Sequence, residues 1–290
     1  MNPASGLPPI GLQLYTVGAE MDNDPEGTLR RVASIGYKTV ELSPMGKTPA
    51  KDLRKMLDDN QLANPSGHYM LPDLMTNLQQ TIAFAKLLGQ QYLVVTVPWV
   101  ADPSRFKTDP KEGQIAFFLA VVQGLGLDDW KWNAEQFNKI GEQLKKAGLQ
   151  LAYHNHNFEL KKYGETTGYD ELIRLTDPDL VKLELDCGWV TVAGYDPVAY
   201  LNKYPDRCRL LHIKDFRKGF THRVTLMDQG SGAPESTELG RGAIDYASIL
   251  KAARNLKLSA MYVEQEPPFT DMAALDAIKV DYDYLSKLQA

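Results

Sequence analysis

The sequence contains only two cysteines, Cys187 and Cys208. Two thiols supply neither a disulfide framework nor a zinc-finger spacing, so each reads as a small buried hydrophobe rather than a nucleophile. Such sparing use favours a reducing compartment. No apolar run approaches the ~20 residues of a membrane-spanning helix, so no membrane partner is expected. Cationic charge is not in excess either: 32 Lys and Arg stand against 37 Asp and Glu, a formal net charge of -5. Nucleic-acid binding needs clustered Lys and Arg, and is not expected. Short pairs such as Lys145-Lys146 and Lys161-Lys162 read as solvated faces. The stretch from Met1 to Pro9 has no basic region and no apolar core, so it does not read as a signal peptide. A cytoplasmic location is expected, or a periplasmic or secreted one if a signal peptide preceded this chain.

What is present is a regular alternation. At 290 residues the chain can bury a large core without covalent staples. Short β-rich runs recur over Ile10–Tyr15, Lys38–Leu42, a third leading to His68, Tyr92–Val97, Leu149–His154, Val181–Asp186, Arg209–Ile213 and Ala260–Glu264. Amphipathic stretches separate them, near residues 25–36, 50–60, 73–88, 134–147, 197–203, 246–256 and 272–288. Tyr92–Val97 is almost wholly apolar, as a strand covered on both faces should be. Eight such units predict an α/β fold, a single (β/α)8 TIM barrel, with one domain over residues 1–290. A doubly wound open sheet is the alternative, but it would usually carry a Gly-rich phosphate turn, and neither GxGxxG nor a P-loop is present. Two connections are long, 98–130 with Asp102-Pro103 and Asp109-Pro110, and 216–245, rich in Gly and Ser. Both follow strands, on the face where barrel enzymes work.

Chemistry collects at the ends of the expected strands. Of five histidines, His68, His154, His156 and His212 lie at or just past the ends of strands 3, 5 and 7, with His222 in the long loop beyond. Glu41, Glu159, Asp186 and Glu264 occupy matching positions on strands 2, 5, 6 and 8. In a closed barrel these groups converge on one mouth. Buried carboxylates are costly unless paired or metal-bound, and no local excess of Lys or Arg accompanies them, so a cation is expected. Three carboxylates and one imidazole suit Mn2+, Mg2+, Co2+ or Zn2+. Such an ion could polarise a carbonyl and stabilise an enediolate while a neighbouring base removes the α-proton.

The stretches Ala152-Tyr153-His154-Asn155-His156-Asn157-Phe158-Glu159, Glu184-Leu185-Asp186 with Trp189, His212-Ile213-Lys214-Asp215, Gly240-Arg241-Gly242 and Val263-Glu264-Gln265-Glu266, in this order, resemble the sugar phosphate isomerase/epimerase family of the xylose isomerase-like TIM-barrel superfamily. The resemblance runs from Gly11-Leu12-Gln13-Leu14-Tyr15 to the last helix. It implies one divalent cation held by Glu159, Asp186, His212 and Glu264. Many members end strand 5 directly in Glu, where this chain has His154, so His154 or His156 could be that ligand instead. Glu266 competes with Glu264 on the same strand face. His68, His154, His156 and Lys214 are the candidate catalytic or substrate-binding residues. Lys214 could bind a substrate oxygen, carry a Schiff base or pair with a carboxylate. Trp99, Trp130, Trp132 and Trp189 read as packing, and Gly240 and Gly242 as a backbone turn.

The leading expectation is a sugar or keto-sugar isomerase or epimerase working by proton abstraction α to a carbonyl. The alternative is a lyase or hydratase for 3-keto-glycosides or keto-inositols on the same site, because the Tyr-His-Asn-His variant resembles members with that chemistry. A sugar-binding barrel without turnover and a metal-free aldolase using Lys214 are further competitors. Superfamily members that cut DNA with three zinc ions need more histidines and a basic groove, which this chain lacks. The expected partner is a small carbohydrate, and a homo-oligomer is compatible with the sequence.

Overall fold

A computed structural model describes residues 6–43, 48–108, 113–226 and 231–289; Asp109-Pro110 and parts of both long connections lie outside the described residues. Eight strands form one sheet: β1 Ile10–Gln13, β2 Thr39–Leu42, β3 Ala63–Tyr69, β4 Tyr92–Val95, β5 Gln150–His154, β6 Val181–Asp186, β7 Cys208–Ile213 and β8 Ala260–Val263. All neighbours are parallel, and β1 pairs with both β2 and β8, which closes the barrel. The expected (β/α)8 barrel is the observed fold, and each strand lies within a residue or two of its expected run.

The helices are α1 Gly18–Asn23, α2 Pro25–Ile35, α3 Ala50–Asp59, α4 Leu71–Leu88, α5 Gly113–Gln123, α6 Leu127–Lys146, α7 Gly168–Leu175, α8 Cys187–Val192, α9 Pro197–Lys203, α10 Tyr246–Ala253 and α11 Ala274–Gln289. Local chemistry explains their ends. Asp24 accepts the Gly27 N–H at the start of α2, with Pro25 as its first residue. The backbone turns left-handed at Gly89, φ 81°, to end α4. Periodicity alone does not separate helices α5 and α7 from loop. The α5 run, Ile115 to Val122, is apolar on every side, and α7 is barely two turns long. Helix α6 starts at Leu127, seven residues before the expected point, because the Asp129 carboxylate caps the Gly126 N–H at 2.8 Å. The connection 98–130 is therefore partly helical.

The main apolar core lies between sheet and helices. A second, small one fills the barrel itself: Val94, Ala152, Leu210, Ala260 and Tyr262, with Tyr92 against it. These are alternate residues of β4, β5, β7 and β8, as a period of two requires. The next inward positions toward the C-terminal ends are polar, and they form the site described below.

Past β7 the chain makes a small ribbon, Asp215–Phe216 against Ser236–Thr237. The buried Asp215 carboxylate accepts N–H groups from Phe216, Gly240, Gly242 and Ile244, at 2.9 to 3.2 Å. Gly240 has φ 81°, which lets the turn aim its N–H at that carboxylate. Helix α11 closes the arrangement from below, where Asp281 accepts the Leu239 N–H at 2.7 Å. Burial pushes the Asp281 carboxyl up to about 8, with Glu238 and Asp215 adding to the rise against the Leu239 hydrogen bond. The folded chain thus holds this proton more tightly than the unfolded chain, whose Asp titrates near about 4. Its stabilising contribution is complete below that value and is lost as the pH climbs to about 8. Asp281→Asn keeps the acceptor and removes the ionisation. Its melting temperature should therefore fall less than that of wild type between about pH 5 and 8. Parallel curves for the two proteins would show that Asp281 is ionised in the fold.

Candidate active site at the barrel mouth

Strand register sets the site. Glu184 and Asp186 are two residues apart on β6 and face the same way. His154 stands beside Glu184, Asp186 beside His212, His212 beside Tyr262, and Gln13 beside Glu41, which pairs with Ser66. The polar interior consequently has two levels.

The lower level is a hydrogen-bond network of carboxylates and imidazoles. Glu41 Oε2 lies 2.7 Å from His212 Nε2, 2.9 Å from His68 Nε2 and 2.9 Å from the Gln13 amide nitrogen. Glu41 Oε1 accepts the Ser66 hydroxyl at 2.5 Å. Glu184 Oε2 lies 2.9 Å from His68 Nε2, 3.1 Å from His154 Nδ1 and 3.2 Å from His212 Nε2. The three imidazoles pack on one another, with ring centres 4.4 to 5.1 Å apart.

The upper level opens to the mouth. Glu264 Oε2 sits 3.0 Å from His212 Nδ1 and 2.8 Å from Lys214 Nζ. Lys214 also reaches Glu266 at 2.6 Å and Asp186 Oδ2 at 3.5 Å. Asp186 accepts the Trp189 N–H on its Oδ1, at 2.7 Å, and so caps α8. Its buried Oδ2 accepts no hydrogen bond and lies 4.0 Å from His154 Nε2. The Tyr246 hydroxyl fixes the end of β7 by accepting the Lys214 N–H and donating to the Lys214 carbonyl.

A cavity of about 580 Å³ opens above this level; His68, His154, His156, Trp189, Glu264 and Glu266 are in its wall. His156 stacks on Phe158 and approaches Trp189. Glu159 is buried and does not join the converging group. Tyr153 donates its hydroxyl to Glu159 Oε1 at 2.8 Å, and Oε2 accepts the His156 N–H at 3.0 Å. Its Oε1 also stands 3.7 Å from His156 Nδ1. Five residues past His154, the chain has already turned outward into a short 3-10 helix, Phe158–Leu160. His222 lies away from the group, exposed, with Nδ1 3.0 Å from the Thr191 carbonyl. Glu184, Gln13 and Ser66 were not singled out as site residues from sequence. For Glu184 the signal was its i, i+2 spacing to Asp186 (for the other two there was none).

The charges are strongly perturbed. Burial would lower His68, but Glu41 and Glu184 overcome it and raise the ring to about 9. Burial likewise opposes charge on His212, and Glu184 and Glu264 hold it well above the ordinary imidazole range. His154 goes the other way. Burial, then the electrostatic influence of His212, His156, His68 and Lys214, keep it well below that range, so its imidazole is neutral. Burial beside Glu41 lifts Glu184 to about 7. Burial raises Glu264 less than Lys214 and His212 lower it, and it stays ionised. Burial raises Asp186. The Lys214 ammonium, opposed by burial, is held charged by Glu264, Glu266 and Asp186.

Two groups of four could hold a cation among the described residues: His68, His154, Glu184 and His212, and His154, Asp186, His212 and Glu264. Ligand atoms within each group all lie within 4.8 Å of one another. The donor chemistry fits an ion. Asp186 Oδ2 has no hydrogen bond, His154 is neutral, and His212 Nδ1 faces a carboxylate at 3.0 Å, which demands a proton or a metal between them. Two imidazoles and two carboxylates suit a borderline divalent metal.

The model of the xylose isomerase-like TIM barrel family matches residues 29–285. The chain belongs to this family. A curated member, the inosose dehydratase of Clostridium beijerinckii, is 28% identical over 263 residues, which cover 85% of this chain and 83% of that protein. The inosose dehydratase of Clostridium perfringens strain 13 is 35% identical over 172 residues, covering 58% and 54% of the two chains. A sugar phosphate isomerase/epimerase from Parabacteroides distasonis has the same fold with a TM-score of 0.75, at 25% identity, covering 96% of this chain and 97% of that one. The family resemblance carried by the sequence motifs is thus confirmed, and the chain is an enzyme of this fold. Among the described residues no helix is long and apolar enough to cross a membrane.

The state of Lys214 separates this site from that of a Schiff-base aldolase. An amine attacks a carbonyl only when neutral, and three carboxylates hold this one charged. Borohydride treatment in the presence of a ketose should leave Lys214 unmodified by mass spectrometry. A reduced ketose adduct on Lys214 would restore the aldolase reading.

Proposed function

We propose that the protein is a divalent-cation-dependent dehydratase for a keto-polyol, a cyclic keto-sugar or keto-inositol, with the activity carried by one barrel domain spanning residues 1–290. The observation that carries this reading is the buried His154, Asp186, His212 and Glu264 set at the mouth of a chain whose curated relatives are inosose dehydratases. The relatives favour the lyase alternative over isomerisation as the net reaction. Proton abstraction α to a carbonyl is common to both.

His154, Asp186, His212 and Glu264 would hold the cation, with His154 in the place expected of Glu159. When bound, the ion supplies Lewis acidity toward a carbonyl or hydroxyl oxygen. The protein's own residues do the rest. Lys214, charged and between Glu264 and Glu266, offers N–H donors to a substrate oxygen that gains negative charge. His156 is the base. Its ring stands in the cavity wall, and the Glu159 carboxylate behind it accepts its backbone N–H and lies 3.7 Å from its Nδ1, near enough to stabilise the imidazolium. The α-carbon gives its proton to the imidazole, the C–H electron pair forms the new double bond, and the β-hydroxyl leaves. That hydroxyl takes a proton from the imidazolium and departs as water, which returns His156 to neutrality. Phe158 and Trp189 stand beside the ring, with centres 5.7 and 6.0 Å from its own.

Incubation of the protein and Mn2+ with a keto-inositol in D2O should yield a product that has lost one water, seen by mass spectrometry. Glu159→Gln should keep the wild-type cation content and lose roughly 100-fold in turnover. Substrate returned with inverted configuration and no loss of water would make the enzyme an epimerase. Loss of the cation from Glu159→Gln would return Glu159 to the ligand set.

A further inference from the structure

We propose that Glu41 and Glu184, on the level beneath the mouth, are positioning residues that determine which nitrogen of His212 and of His154 faces the cation. The inference rests on the reading above, in which the cation belongs to the upper set.

The argument begins at Gln13. Its Oε1 accepts the Tyr15 N–H at 3.1 Å, so the orientation of the amide is settled. Its NH2 group therefore points at Glu41 Oε2, 2.9 Å away, and at His68 Nδ1, 3.3 Å away. The His68 Nε2–H is directed at the two carboxylates, 2.9 Å from Glu41 Oε2 and 2.9 Å from Glu184 Oε2. Glu41 then receives donors on both oxygens, from Ser66 on Oε1 and from Gln13, His68 and His212 on Oε2. Ser66 in turn accepts the Tyr262 hydroxyl, at 2.6 Å.

With these partners Glu41 takes the Nε2–H of His212, which leaves His212 Nδ1 toward Glu264. Glu184 takes the Nδ1–H of His154, which leaves His154 Nε2 toward Asp186. The two carboxylates act on opposite nitrogens of their two rings, and the second nitrogen of each ring faces the upper level: that of His154 with a lone pair, that of His212 with a proton that a cation would displace. The lower set has one oxygen without a hydrogen bond, Glu184 Oε1, but each of its three imidazole nitrogens is committed as a donor. Its composition suits support better than ligation. A carboxylate behind a ligating imidazole commonly contributes 10–100-fold to metal affinity.

The test uses the full chain and Zn2+ alone, with affinities from competition against a chromophoric chelator. Glu41→Gln and Glu184→Gln should each bind about 10–100-fold more weakly than wild type, and Asp186→Asn should lose the site. Imidazole 15N spectra of the Zn2+-loaded wild type should place N–H on Nε2 of His212 and on Nδ1 of His154. This measurement needs no variant to fold, and a merely structural role for the two glutamates would not dictate it. The opposite N–H assignment, or unchanged affinity in both Glu→Gln variants while Asp186→Asn loses zinc, would overturn the positioning role and leave the upper site standing. Wild-type affinity in Asp186→Asn with complete loss in Glu184→Gln would put the ion on the lower level and overturn both.

Discussion

The barrel interior is organised by an imbalance of buried charge. Glu41, Glu184, Asp186 and Glu264 are all buried around one mouth, with Glu159 buried behind His156, and Lys214 meets Asp186 and Glu264 of that group. Withdrawing each carboxylate from water costs several kcal/mol unless a partner replaces the lost hydration. Histidines supply much of that replacement, which is why a chain with only five of them brings three rings into contact at one place. The small apolar plug of Val94, Ala152, Leu210 and Ala260 seals this polar level from the barrel's other end. The perturbed protonation of His68, His154, His212 and Glu184 follows from that enclosure.

Most of the fold was legible because its signals are local. The strands announce themselves as short apolar runs, and Pro25 with Gly36 brackets a helix by backbone preference alone. Helix α8 was not, because it starts at Cys187, directly after the Asp186 that ends β6, with no loop to mark the change. Helix α5 escaped for a different reason: a run apolar on all sides carries no period.

The site was legible as a set of strand ends and less so residue by residue. His68, His154, Asp186, His212, Lys214 and Glu264 do meet, as the inward positions of neighbouring strands must. Glu159 is the instructive case. Its spacing from His154 puts it past a turn that sequence cannot draw, and the Tyr153 hydroxyl that holds it there is distant from the mouth's own logic. Glu184 shows the converse. It occupies an inward position as plainly as Asp186, yet its importance lies in which ring nitrogens it receives, a property of three-dimensional distances.

Asp186 belongs to two structures at once. One oxygen opens toward Lys214 and His154, and the other fastens the first turn of α8 through the Trp189 N–H. The Trp189 indole, in turn, stands in the cavity wall, 5.0 Å from the Lys214 ammonium. A change of charge at this carboxylate therefore reaches the indole three residues on, over whose ring the same lysine stands. A ligand that enters this cavity thus comes within the electric field that surrounds the Trp189 indole.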